Sequence, residues 1–137
     1  MARDIIHQVV KNALIKDGWL ITNDPVYLES GGVSVEVDLA AEKFIVADKG
    51  IDHILVDIKS MNRKSLMYDF HSALGQYLDY RGIVEDENID RHVYLAIPQK
   101  AYQLMQTMPF YDKRLKQFKV SLIVVDILNE IIVKWIK

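Results

Sequence analysis

The stretch Ile54-Leu55-Val56-Asp57-Ile58-Lys59-Ser60 is an apolar run that ends with a carboxylate and an ammonium group two residues apart. A short apolar run bounded by polar residues predicts a buried strand. Side chains alternate between the two faces of a strand, so Asp57 and Lys59 should point to the same face. The stretch therefore predicts a central strand that presents an acid and a base together at one end.

A second aspartate stands in a similar position earlier in the chain. Asp38 ends the strand predicted for residues 33–39, and eighteen residues lie between it and Asp57. If these strands are neighbours, both carboxylates converge on one hard cation such as Mg²⁺ or Mn²⁺, with Lys59 beside it. Such an ion would activate a bound water, and Lys59 would orient the water or stabilise developing negative charge. The alternative is that the three residues are ordinary charges at strand ends.

Hydrophobic periodicity extends the prediction to the rest of the chain. It predicts helices over residues 4–18, 65–81 and 99–108, a short basic helix or loop over 112–118, and strands at 19–21, 33–39, 43–47, 53–58, 92–98, 120–125 and 131–136. Asp4 is expected to cap the first helix, residues 40–42 to separate two strands, Gly82 to end the second helix, and residues 85–90 to form an acidic loop. The order predicts one α/β domain over residues 1–137, with a mixed central sheet flanked by helices.

Composition narrows the function classes. The chain has 137 residues, no Cys and a formal net charge of −2. The absence of Cys excludes thiol catalysis and Cys-ligated zinc, and the charge argues against a protein that coats nucleic acid non-specifically. No glycine-rich phosphate loop is present, which argues against nucleotide-binding folds that use one. No secretory signal or membrane-length apolar run is seen, so a cytoplasmic protein without membrane contact is expected.

Two further groups of residues could support a site near Asp57. Gln76 and Tyr80 lie one turn apart at the edge of the apolar stripe of the second predicted helix, and could face the sheet. Residues 99–137 carry seven Lys or Arg against three acids, a net charge of +4, although solvated helix faces commonly look the same. The candidate DNA contacts in the chain are Arg63, Lys64, Lys113, Arg114, Lys116 and Lys119.

These residues together resemble the PD-(D/E)xK nuclease superfamily, with Asp38, the Asp57-Ile58-Lys59 motif and the Gln76-x-x-x-Tyr80 helix in the expected order. More closely, the chain resembles the XisH family, the fdxN element excision controlling factors of cyanobacteria. The stretches that carry this likeness are His7–Pro25, Val37–Lys43, Val56–Ser60, Asp69–Tyr77 and Ile132–Ile136. The resemblance implies a restriction-endonuclease-like fold.

By position, the resemblance makes Asp38 and Asp57 metal ligands for one or two Mg²⁺ or Mn²⁺ ions and Lys59 the catalytic lysine. Gln76 and Tyr80 would be supporting residues. The chain departs from the superfamily pattern at His7, where many members have Glu, and at Val37, where many have Pro.

The family resemblance also implies a biological setting and partners. The implied role is excision of a DNA element from the nitrogen-fixation region of cyanobacteria, in heterocyst development, with the site-specific recombinase XisF and the small protein XisI. A homodimer is expected as well, because one active centre would cut only one strand of a duplex. Three functions stay open on sequence: a nuclease-like excision factor, a catalytically inactive accessory protein that binds XisI or recombinase, and a structural domain.

Overall fold

The structure is a computed structural model that describes residues 2–47, 49–62 and 65–137, with side chains from Ile5 onward. The described residues form four helices and eight strands. In chain order these are α1 (Ala2–Lys16), β1 (Leu20–Asn23), β2 (Val26–Ser30), β3 (Val33–Val37), β4 (Leu39–Ile45), β5 (Gly50–Ile58), α2 (Leu66–Asp86), β6 (His92–Pro98), α3 (Gln99–Gln106), α4 (Pro109–Gln117), β7 (Leu122–Asp126) and β8 (Ile131–Ile136).

A six-stranded sheet in the order β1-β4-β5-β6-β7-β8 forms the centre of the molecule. β5, β6 and β7 run parallel to one another, and the outer strands pair antiparallel with their neighbours. β2 and β3 form a separate antiparallel hairpin. The predicted mixed sheet with flanking helices is therefore confirmed. Central parallel strands are covered on both faces, which explains their unbroken apolar sequences.

Two hydrophobic cores cover the two faces of this sheet. α1 packs on one face, where its Val10 and Leu14 contact the core that contains Val56. The β2–β3 hairpin and the other three helices pack on the opposite face, in the core that contains Leu55 and Tyr77. Alternation of side chains along β5 thus divides one strand between two cores. None of the described helices has the length and apolar character needed to cross a membrane.

The region around Asp38 differs from the prediction in two ways. The strand predicted for residues 33–39 is interrupted at Asp38, where the chain passes from the hairpin to the central sheet. The predicted break at residues 40–42 is wrong, because β4 runs through them. Ala40 pairs with Leu55 and Ala41 with Ile54, and both alanines are buried. Their small side chains let the strand continue between two covered faces.

The second helix is longer than predicted. Gly82 does not end α2, which continues to Asp86 because Ile83 and Val84 pack against the core and prolong the apolar stripe. The first two residues of the predicted acidic loop are therefore helical. At the N-terminus, α1 begins at Ala2, so Asp4 lies inside the helix rather than at its cap.

Two shorter segments complete the comparison with the sequence analysis. The strand β2 over Val26–Ser30 was not predicted from the sequence. The segment predicted as a basic helix or loop is helical, as part of α4.

Candidate functional site

Asp38 and Asp57 meet where the β3–β4 corner lies beside the end of β5. β4 pairs with β5 so that Leu39 is opposite Val56, and the Ile58 backbone N–H donates to Asp38 Oδ2 at 2.7 Å. Both carboxylates are buried, with 7% of Asp38 and 2% of Asp57 exposed. The two acids that the sequence placed on separate strands are therefore side by side in the fold.

The Asp57 carboxyl group lies in an environment that opposes its charge. Burial raises the pKa of this carboxyl to about 7, the nearby Lys59 ammonium opposes that rise, and the Asp38 carboxylate adds to it. Lys59 Nζ lies 3.8 Å from Asp57 Oδ1. Asp57 Oδ2 is buried without a hydrogen-bond partner, which among the described side chains is shared only by Arg114 Nε. A buried acceptor without a donor indicates a missing ion, water or proton.

Lys59 is held in place by the helix across the cleft. Its Nζ donates a hydrogen bond to Gln76 Oε1 on α2. Its backbone N–H donates to the Ala96 carbonyl at 3.0 Å, which continues the ladder between β5 and β6. Gln76 and Lys59, both named by the sequence, therefore meet in the structure, and the amide orients the ammonium toward Asp57.

Tyr80 contacts the backbone that leads to Asp38. Its hydroxyl donates to the Glu36 carbonyl at 3.2 Å, two residues before Asp38. Burial, with the charges of Asp57 and Asp38, raises the pKa of Tyr80 to about 12, so the hydroxyl keeps its proton and remains a donor. Tyr80 therefore supports the β3–β4 corner through this hydrogen bond.

His7, the departure from the superfamily pattern, also faces this site. Its Nε2 is 2.6 Å from Asp24 Oδ1, and its Nδ1 is 3.9 Å from Asp38 Oδ1. Lys11 Nζ lies 2.7 Å from the other Asp24 oxygen. Although burial acts in the opposite direction, the hydrogen bonds from Lys11 and His7 hold the pKa of Asp24 below its ordinary value. Asp24 therefore fixes the imidazole ring beside Asp38.

A cavity of about 240 Å³ opens next to Lys59 and Gln76. Asp69 lines it and is only 8% exposed, although the sequence analysis did not include it among the site residues. The available signal was helical spacing, because Asp69, Gln76 and Tyr80 lie on one face of α2. The wall of this cavity therefore carries the Asp69 carboxylate, whereas Asp38 and Asp57 do not line it.

The basic residues lie at different distances from this cleft. The start of α4 packs against the start of α2, where the Phe70 and Tyr111 ring centroids are 5.0 Å apart. The end of α4 is near Arg81, whose Nη1 donates to the Phe118 carbonyl.

This arrangement separates the basic side chains from one another. Lys113 and Arg114 are thereby closer to the cleft than Lys119, which lies near the opposite edge of the sheet. Lys116 is paired with Asp112 at 2.8 Å, and Arg63 and Lys64 lie outside the described residues.

The donor chemistry of the site suits a hard cation. Within the described ranges, no group of three or more His, Asp or Glu side chains is arranged to hold a metal ion. Mg²⁺ commonly binds through one or two carboxylates and keeps several waters, so the Asp38 and Asp57 oxygens are a suitable pair. The partnerless Asp57 Oδ2 would be the oxygen that such an ion takes up.

Comparisons with known proteins agree on one family. The family model described as XisH protein matches residues 1–133. A crystal structure of an fdxN element excision controlling factor protein from Anabaena variabilis is 38% identical, with a TM-score of 0.88, over 98% of this chain and 99% of that one. An XisH family protein from Nostoc punctiforme is also 38% identical, with a TM-score of 0.88, over 98% of this chain and 100% of that one.

No curated protein matches the chain significantly. The family model and both solved structures nevertheless span nearly the whole sequence. The chain belongs to the XisH family.

Proposed function

We propose that this chain is an excision controlling factor of the nuclease type, which binds or cuts DNA through a metal site and acts with a site-specific recombinase on an fdxN-type element. The observation that carries the proposal is the buried, partnerless oxygen of Asp57, next to Asp38 and Lys59. Strand-end charges with no function would be expected in solvent or in satisfied ion pairs. The family name of a related structure supports the excision role.

The proposed metal is Mg²⁺ or Mn²⁺, held by Asp38 and Asp57. A bound ion of this kind would supply a water of lowered pKa and neutralise charge on a phosphodiester. The positive charge would also favour the ionised form of Asp57, whose carboxyl otherwise has a raised pKa because it is buried.

The chain's own residues would position the reacting groups. Lys59, held by Gln76, would donate hydrogen bonds to a phosphate oxygen or to the attacking water. Tyr80 would keep the corner before Asp38 in place through the Glu36 carbonyl. Preorganised donors of this kind need no rearrangement when negative charge develops, which is why they accelerate phosphoryl chemistry.

Basic residues would contribute contacts to the DNA backbone. Lys113 and Arg114 are the best placed, and the predicted contacts Arg63 and Lys64 would follow directly in sequence from the β5 end. Each phosphate contact releases counterions. Losing one contact should therefore reduce the slope of the logarithm of the binding constant against the logarithm of the salt concentration by about one. Lys113→Ala should show this loss, whereas Lys119→Ala, two residues beyond the end of α4 and beside Arg81, should not.

Metal titration tests the proposal directly. We expect Mn²⁺ to bind the wild-type protein in calorimetry and Asp57→Asn to abolish that binding while the thermal melt shows a folded protein. Asp126→Asn is the matched control, because Asp126 also ends a strand of the sheet but lies outside the site. Equal Mn²⁺ binding by wild type and Asp57→Asn would contradict the proposal. If the metal binds, the next experiment tests cleavage of branched DNA with Mg²⁺ and Mn²⁺ in parallel.

A second candidate is a catalytically inactive accessory protein that holds a XisI-like partner, the XisF-type recombinase or a second copy of itself. An exposed apolar patch favours it: Phe44 and Ile51 pair across β4 and β5 with 60% and 56% of their surface exposed. Val46, at the turn between them, is 78% exposed. Sizing chromatography with and without XisI tests this function, since Phe44→Lys should then weaken assembly and leave metal binding unchanged.

A further inference from the structure

A second and larger cavity lies at the edge of the sheet where the three parallel strands end. Its volume is about 820 Å³, and its walls include residues 60–62 after β5, residues 98–101 at the end of β6 and residues 125–128 at the end of β7. Crevices outside the carboxyl ends of parallel strands are the usual ligand sites of α/β sheets. The volume also falls within the range of about 300–1,000 Å³ that is typical of small-molecule sites.

This cavity adjoins the candidate metal site. Ile6, Ser60 and Met61 line both the large cavity and the smaller cleft that contains Lys59. Asp57 and Lys59 lie on the same chain segment that forms the shared wall. Lys59 lines only the smaller cleft and Asp57 lines neither cavity, so a molecule in the large cavity reaches them by extending past Ser60 and Met61.

The walls combine apolar surface with amide groups, one cation and the Asp126 carboxylate, whose own turn donates hydrogen bonds to it. Ile5, Leu104 and Leu128 present exposed aliphatic side chains to the cavity. Gln99 and Gln103, both on α3, add amides that can donate and accept hydrogen bonds at the same time. A flat nucleobase needs this combination, because its faces are apolar and its edge carries donors and acceptors. Lys100 and Asn62 in the same walls suit the attached phosphate and sugar.

We propose that this cavity binds one unpaired nucleotide of a DNA strand and thereby places the adjoining phosphodiester at Asp57 and Lys59. This inference rests on the proposed function and specifies its substrate: DNA with a base that is already out of the helix. A base inside a duplex is stacked and paired, so extruding it opposes binding. A bulge, branch or single-stranded end avoids that cost, so such DNA binds more tightly.

The test uses a short duplex with a single unpaired 2-aminopurine and the same duplex fully paired, both titrated with the full chain in EDTA so that no strand is cut. We expect the bulged DNA to bind about tenfold more tightly and its fluorescence to change on binding. Gln103→Glu and Leu104→Glu should remove this preference while binding to the paired duplex remains. Gln117→Glu is the matched control, because it adds the same charge at an exposed helical position outside the cavity.

The outcomes separate this inference from the proposed function. Equal binding of bulged and paired DNA, or an unchanged preference in both cavity variants, would overturn the inference and leave the metal site untouched. Free deoxyadenosine monophosphate that binds as tightly as the bulged DNA would overturn DNA as the source of the nucleotide. Absence of any salt-dependent DNA binding would contradict the proposed function, while Mn²⁺ titration of Asp57→Asn would still report on the metal site.

Discussion

Two parallel strands of the central sheet, β5 and β7, carry an aspartate after a similar apolar sequence, but the pKa values of the two aspartates are shifted in opposite directions. β5 reads Ile54-Leu55-Val56-Asp57 near its end, and β7 reads Leu122-Ile123-Val124-Val125-Asp126. Both aspartates follow buried apolar residues and reach the same edge of the sheet. Asp57 is nevertheless a buried acid with a raised pKa, whereas Asp126 has a lowered one.

The residues that follow each aspartate explain the difference. Asp126 Oδ1 accepts hydrogen bonds from the Leu128 and Asn129 backbones, and Oδ2 accepts one from the Asn129 side chain. These bonds, led by that of the Asn129 side chain, lower the pKa of Asp126. After Asp57, the first backbone donor, Ile58 N–H, makes its short 2.7 Å hydrogen bond to Asp38 Oδ2, and Asp57 Oδ2 is left without a partner. A strand-end carboxylate that its own turn satisfies is structural, and one that its turn leaves unsatisfied is available for a ligand.

The largest expected effect separates the two strand ends by activity. If branched DNA is cleaved, Lys59→Met should lower the rate by roughly 10²–10³-fold, because it removes a donor aimed at developing negative charge. Asp126→Ala should lower the rate far less, because Asp126 is on the wall of the large cavity and away from the reacting groups. Single-turnover kinetics at saturating Mn²⁺ measures both. Comparable losses in the two variants would show that the contrast between the strand ends has no catalytic meaning.

Gln76 should matter less, since it acts through Lys59. Gln76→Ala removes the acceptor of the Lys59 ammonium, and we expect the cleavage rate to fall about 10-fold, as is usual for supporting residues around a metal site. Gln76→Glu keeps an acceptor and should recover most of the rate. If Gln76→Glu cleaves no faster than Gln76→Ala, then Gln76 does not act by positioning Lys59.

The unfolding free energy should depend on pH with opposite signs at the two aspartates. The folded pKa of Asp57 is about 7 against an ordinary value of 3.8, so between these pH values the folded state holds a proton that the unfolded state has lost. The resulting stability is complete below the ordinary pKa and is lost as pH rises toward 7.

Asp57→Asn cannot titrate at this position. Its unfolding free energy should therefore rise relative to that of the wild type by about 1 kcal/mol for each pH unit across this window. Urea unfolding in EDTA from pH 5 to pH 8 measures the difference. A difference that stays constant with pH would contradict the raised pKa of Asp57.

The smallest expected effect concerns Asp126. Its lowered pKa means that its contribution is present above the ordinary value of 3.8 and is lost as pH falls. Asp126→Ala should therefore lower the melting temperature slightly at neutral pH and not at all in acid. Thermal melts at the two pH values check this, with Asp126→Asn as a variant that keeps one acceptor for the turn.

Local pattern was enough to predict the end of β5 and the face of α2. Alternation along a strand placed Asp57 beside Lys59, and helical spacing placed Gln76 and Tyr80 on one side of a helix. Both rules act over a few residues, so they need no knowledge of the rest of the fold.

The parts that sequence could not predict depend on contacts distant in the chain. The interruption at Asp38 arises because the β2–β3 hairpin leaves the central sheet, with Val26 and Val37 buried on one of its faces. The pairing of His7 with Asp24 likewise joins a helix to a turn. Burial of Asp69 depends on the cleft between α2, Ile6 of α1 and the residues that follow β5. Periodicity within one segment contains none of this information.

The hydrogen bond from the Ile58 amide to Asp38 has a spectroscopic consequence. The chemical shift of an amide proton that is hydrogen-bonded to a carboxylate depends on the charge of that carboxylate. Ile58 is buried, so solvent contributes little to the shift of its amide proton. Metal ligation at Asp38 would therefore shift the Ile58 amide resonance. In a nitrogen–proton correlation spectrum, Ile58 is a natural reporter of the state of the site, without a label attached to any residue that does the chemistry.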